Sequence, residues 1–213
     1  MAGTWPTGTH SQQEINVGMH AKQPIGVLGR AAIALMASSI HGQARAATAD
    51  AQANVTKHMQ RFDQLDFDAF SKQDWKLFDE IHCPDVVVTY PDGHETHGIK
   101  KHQEDIAAMF VSTPDMRVSA HPVSFGSKVW ASLTPDRRTS SQTLTPGEWT
   151  ATVGVLEATF TQPMKMGDKT IQPTGKKLKL PMATIAHWKN GCIAEELLFW
   201  DNASYMQQLG IGP

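Results

Sequence analysis

Two side chains able to exchange protons, His187 and Asp201, stand fourteen positions apart near the end of the chain. A carboxylate set among apolar residues, here Phe199 and Trp200, becomes more basic because burial disfavours its charged form. An imidazole beside it can donate to a substrate carbonyl and stabilise the oxygen as negative charge develops. Each residue also has a plain structural use. Asp201 precedes Asn202 and a short helix and could be that helix's N-cap. A lone His in an apolar strand can be a satisfied core residue. Thr184–Trp188 reads as a strand, Asn190-Gly191 as a tight hairpin turn and Ile193–Trp200 as the returning strand. With a two-residue turn, His187 shares a face with Ala194, Glu196, Leu198 and Trp200, and strict alternation places Asp201 on the other face. The pair can converge only through a bulge or a bend at Asp201.

Further residues could shape a pocket around this pair. His102 lies on the inward stripe of a helix and either lines a cavity or is a buried structural histidine. Glu157 shares strand parity with Val153 and Val155, as an inward carboxylate or as the exposed side of a half-buried strand. Tyr90, Trp75, Trp149, Trp188, Trp200, Met109 and Met182 could form apolar walls or simply core. His94, His97 and His102 lack a paired ligand motif, so surface histidines explain them more simply than a metal centre. His82 and Asp85 fit a helix–strand joint. Neither a nucleophile elbow nor a phosphate-binding glycine loop occurs, which disfavours acyl-enzyme and phosphoryl chemistry.

The elements that would position these residues follow from periodicity. Helical spacing over Asp50–Phe70 puts Val55, Met59, Phe62, Leu65 and Phe70 on one side, and a short helix follows at Asp74–His82. Asp85–Tyr90 is a β-branched strand stopped by Pro91-Asp92-Gly93. A third helix spans Gly98 to Phe110. Strand signals dominate from there, over Met116–Phe125, Trp149–Thr161, Lys177–Trp188 and Ile193–Trp200, and Asn202–Leu209 closes as a helix ended by Gly210. Helices first and a strand meander afterwards argue for an α+β fold in which a curved antiparallel sheet holds a pocket.

A length of 213 residues suits one domain. The net charge of −2 and pI near 6.5 give no electrostatic case for nucleic acid or an anionic membrane, and no apolar run is long enough for a membrane span. Residues 1–48 read as an extension. From Met19, the basic Lys22 and Arg30, the apolar 31–37 run and the ending Ala44-Arg45-Ala46 describe a secretory signal, with a mature start near Ala47; a weakly helical tail is the alternative. The domain then spans 50–211 with an inserted loop at 128–146, rich in Ser, Thr and Pro. That segment is either a surface loop or lid, or retained coding material, because removing it leaves a natural hairpin junction. Cys83 and Cys192 make no disulfide framework, although they could pair in an exported protein.

The runs DWKLFDEIHCPDVVVTYPDG, EWTATVGVLEATF and IAHWKNGCIAEELLFWDNASYMQQLG, with the His97-Gly98 helix start, resemble the SnoaL-like polyketide cyclase and ester cyclase group of the nuclear-transport-factor-2-like superfamily. The resemblance implies a cone-shaped α+β barrel with helices packed into a strongly bent sheet around an apolar cavity, in a homodimer. It implies ring closure on a hydrophobic small molecule by aldol-type acid/base catalysis, a lyase or isomerase step without cofactor or metal. On its motif positions Asp201 is the base and His187 its partner. A hydrolase or dehydratase using the same pocket, and a non-catalytic binder of hydrophobic small molecules, are the other readings.

Overall fold

The computed structural model describes residues 47, 49–126 and 147–211. The proposed signal before Ala47 and the 128–146 segment lie outside the described residues. Helix α1 (49–63) runs without a break into a π-helical segment, Gln64–Phe70. Its buried positions Ala51, Val55, His58, Phe62 and Leu65 follow the 3.6-residue period. Leu65 and Asp66, three and four residues after Phe62, are both buried on that face. Helix α2 (Trp75–Ile81) is capped by Asp74, whose carboxylate accepts from the Leu77 N–H, and buries Phe78 and Ile81. Helix α3 (Ile99–Ser112) starts after Gly98, whose φ of 85° few other residues adopt, and buries His102, Ile106 and Phe110. Helix α4 (Asn202–Leu209) ends on left-handed Gly210.

The strands are β1 (His82–Thr89), β2 (Glu95–His97), β3 (Arg117–Gly126), β4 (Trp149–Thr159), β5 (Met164–Met166), β6 (Lys169–Ile171), β7 (Lys177–Lys189) and β8 (Cys192–Trp200). Six of them form one curved sheet in the order β2-β1-β8-β7-β4-β3, and β5–β6 is a separate small hairpin. Only β1 and β8 run parallel; the other neighbours in the large sheet are antiparallel. The fold is α+β, as expected, and the sheet forms an open cone rather than a closed barrel. Phe62, Phe78, Ile81, Leu156, Phe160, Leu180 and Leu198 belong to the core between its inner face and the helices.

Two local features set the geometry at this end of the sheet. The turn at Asn190-Gly191 is tight, with both residues at positive φ, but the β7–β8 register slips after it: Lys189 pairs with Cys192 and Trp188 with Ile193, whereas His187 pairs with Glu195. Ala194 is the extra residue of a bulge. The cysteines are the second feature. Cys83 and Cys192 form a disulfide across a sequence separation of 109, with Cα atoms 5.1 Å apart. The parallel pairing of β1 with β8 sets His82 beside Ile193 and so brings the two cysteines together, which spacing along the chain could not show.

Candidate functional site

A cavity of about 50 Å³ lies between the inner face of the sheet and the helices. Its walls are mostly apolar and include Leu65, Phe70, Phe78, Ile106, Val118, Leu156 and Leu198. Four ionisable side chains open onto it: Asp66, His82, His102 and Glu196. Each arrives from a different element. Asp66 comes from the π turn, His82 from the α2–β1 joint, His102 from α3 and Glu196 from β8.

The bulge at Ala194 explains Glu196. It sets Glu196 opposite Ala186 and beside the inward row of Met182, Thr184, Leu198 and Trp200. Glu196 is 4% exposed, so its charge survives only through its partners. Oε2 stands 3.3 Å from His102 Nε2 and 3.8 Å from His82 Nε2. Burial alone would raise its pKa, but the two neighbouring imidazoles, His102 foremost, outweigh burial and hold it at about 2. Burial pushes His102 below the usual histidine range, against the pull of Glu196. His102 Nδ1 lies 3.1 Å from the Tyr90 hydroxyl, which burial keeps protonated well above its ordinary range. Tyr90, His102 and Glu196 thus form a continuous chain of polar contacts.

Asp66 is held differently. His121 on β3 places Nε2 2.8 Å from Asp66 Oδ2 and Nδ1 2.7 Å from Asp63 Oδ1. Two carboxylates, one on each ring nitrogen, require both nitrogens to donate, so the ring is an imidazolium. Burial lowers the His121 pKa, but the hydrogen bonds and charges of Asp66 and Asp63 raise it further than burial lowers it. The Asp66 carboxyl is raised by burial, with His121 pulling it back and the charge of Glu196 adding to the rise. An oriented carboxylate of enhanced basicity therefore shares an apolar cavity with a second polar cluster, an arrangement suited to moving a proton.

The structure does not bring His187 and Asp201 together. The bulge reverses the parity expected of β8, so His187 faces outward opposite Glu195, stacked on Trp149 at 4.4 Å and flanked by Glu148 at 3.6 Å. Asp201 is exposed and accepts hydrogen bonds from the Ala203 and Ser204 N–H groups as the N-cap of α4. Trp200 pairs with Met182, five positions from His187, so about 16 Å of strand separates the two sites. Of the other expected pocket residues, His102, Met109 and Trp200 line the cavity, and Tyr90 touches it through His102. Trp75 packs edge-on against Phe78 and Phe110. Trp149 is on the outer face with His187. Glu157 is outward too, bound to Arg117 and Lys179. His94 and His97 are exposed beside Asp92 and Glu95. The residues missed by sequence reasoning are Asp66, His121, Glu196 and the cavity side of His82. Asp66 and Glu196 carried one usable signal, a lone acid inside an apolar stripe.

Residues 64–196 match the family profile described as the SnoaL-like domain. Solved structures give similar folds. A SnoaL-like polyketide cyclase candidate from Jannaschia sp. CCS1 is 19% identical, covering 74% of this chain and 94% of its own, with a TM-score of 0.55. IdmH, a polyketide cyclase candidate from Streptomyces antibioticus, is 19% identical over 72% of this chain and 98% of its own, with a TM-score of 0.54. AclR, a hydroxylase candidate from Streptomyces galilaeus, is 14% identical over 78% and 84%, with a TM-score of 0.51. A search of curated proteins finds no match to the chain.

Proposed function

The chain belongs to the SnoaL-like domain family, and on that premise we propose that it is an enzyme that removes a proton next to the carbonyl of a small hydrophobic ketone or ester. Asp66 is the base. The Tyr90–His102–Glu196 chain and His82 contact the carbonyl end, and the enolate so formed leads to aldol-type ring closure or isomerisation. The observation that carries this reading is the Asp66 carboxylate, fixed by His121, opening into the same apolar cavity as the His82–His102–Glu196 cluster. Desolvation there keeps the carboxylate basic and excludes competing water.

The cavity volume limits the substrate. About 50 Å³ accommodates about three or four waters, so only a slender carbonyl-bearing end enters as the walls stand. Met109, Met182 and Trp200 are half-buried parts of its lining, and two unbranched thioether chains can swing to admit more. The test is deuterium exchange at the α-carbon of a panel of small apolar ketones and esters, followed by NMR. Wild type should catalyse exchange, and Asp66→Asn should slow it by about 10²–10⁴-fold while keeping the wild-type circular dichroism. Unchanged exchange in Asp66→Asn overturns the assignment.

We further propose that the protein is exported, the segment from Met19 acting as its signal. Support comes from the Cys83–Cys192 bond, because disulfides persist in oxidising compartments and are rare in reducing ones. Mass spectrometry of protein from its native host should find a mature chain starting near Ala47 without free thiols. A chain retaining the leader, with two free thiols, contradicts this.

A further inference from the structure

His82 carries a ring atom that the hydrogen-bond network leaves unused. Its backbone N–H and its Nδ1 both address the Phe78 carbonyl, Nδ1 at 2.8 Å. A carbonyl only accepts, so Nδ1 holds the ring proton and Nε2 presents a lone pair. That nitrogen is without a hydrogen-bond partner, and its side chain is fully buried in the cavity wall. Facing it at 3.8 Å is Oε2 of Glu196, another acceptor, which also stands 3.3 Å from His102 Nε2. Two acceptors facing each other in an apolar interior are costly unless something positive or proton-bearing lies between them.

The three atoms also have the spacing of a ligand set. His82 Nε2, His102 Nε2 and a Glu196 carboxylate oxygen lie within 4.8 Å of one another. Bonds of ~2.0–2.1 Å at tetrahedral angles put ligand atoms about 3.4 Å apart, so small side-chain rotations close the set. The outer contacts are already made. A ligating imidazole usually holds a carbonyl or similar group on its other nitrogen. His82 has the Phe78 carbonyl there, and His102 has the Tyr90 hydroxyl at 3.1 Å.

We propose that His82, His102 and Glu196 bind a divalent metal ion of the zinc type, with an open coordination position facing the cavity. Two imidazoles and one carboxylate suit Zn(II), Co(II) or Fe(II) and not the all-oxygen preference of Ca(II) or Mg(II). Three protein ligands leave room for a carbonyl oxygen. The proposal deepens the reading of this cavity as a reaction site: an ionised Glu196 repels a developing enolate oxygen, and a cation held by the same carboxylate attracts it. Binding of the ion itself does not depend on that reading.

The full, untagged chain is stripped with chelator and titrated with Co(II), read by visible absorption, and with Zn(II), read by calorimetry. One ion per chain is expected, with a Co(II) spectrum of nitrogen and oxygen donors. Glu196→Gln, nearly isosteric, and His82→Ala should lose the site, Tyr90→Phe should weaken it about 10–100-fold, and His97→Ala should change nothing. The absence of saturable binding, or binding unaltered in Glu196→Gln, overturns the proposal. Should both ligand variants fail to fold, the Co(II) spectrum of the wild type and the Tyr90→Phe affinity decide it: a hexa-aqua spectrum with an unchanged affinity counts against the site. Asp66→Asn separates the two readings, since it should lose proton exchange yet bind the ion normally.

Discussion

Glu196 and Asp201 stand five positions apart at one end of the chain, and their surroundings give them opposite uses. Glu196 is sealed among Leu198, Phe78 and two histidines, where a charge persists only through its partners. Asp201 is open to solvent and bound to two N–H groups of the helix it starts. An N-cap replaced by Ala typically costs ~1 kcal/mol. Asp201→Ala should therefore lower the unfolding free energy measured by chemical denaturation by ~1 kcal/mol and leave proton exchange at the wild-type rate. A large loss of turnover without loss of stability would return the catalytic role to Asp201. Residue types alone did not separate the two acids. The cap was readable from the Asp-Asn start of α4, because capping is a local interaction. Glu196 showed only as a lone acid in an apolar stripe, and its role was not readable, because that depends on His82 and His102, which are remote in sequence.

At the scale of elements, one extra residue decides which face of β8 is which. The meander, the helix stripes and the Asn190-Gly191 turn were legible, since each follows from a period of 2 or 3.6 or from turn chemistry. The bulge at Ala194 was not, because nothing in Cys192-Ile193-Ala194-Glu195 marks an unpaired residue. It moves His187 out and Glu196 in. Asp66 lies four residues after Phe62 and so falls on the buried stripe of α1, at the start of the π segment. His121 then ties that segment to β3 through two carboxylates. Because its folded pKa is raised, its stabilisation is complete below about pH 6.5, the unfolded value, and is lost as pH rises through the folded value. His121→Gln should be less stable than wild type at pH 6 by on the order of 2 kcal/mol, the worth of hydrogen bonds between charged groups. The gap should narrow towards pH 9 in denaturation curves. A gap independent of pH would mean that the ring acts through packing between Phe62 and Phe67 and not through its charge.

Across the whole molecule the sheet has two unlike faces. The inner one builds the cavity, and the outer one carries rows of apolar side chains: Phe125, Ala151, Ile185 and Leu197 in one, Val123, Val153, Ala183 and Phe199 in the next. Phe125, Val123 and Phe199 are at least half exposed. A continuous apolar surface of this kind marks an interaction site, and we propose that a second copy of the chain covers it. Leu197→Lys at the centre of the rows should convert a dimer to a monomer by light scattering; a wild-type monomer at micromolar concentration contradicts the proposal. The central claim, that reaction takes place in the inner cavity, is tested most directly by locating a bound ligand. A crystal structure with a small enol-type analogue should show its oxygen at the His82–His102 end of the cavity and its apolar part beside Asp66. Density on the outer face beside His187 and Trp149, or at Asp201 with the cavity unchanged, would contradict the account.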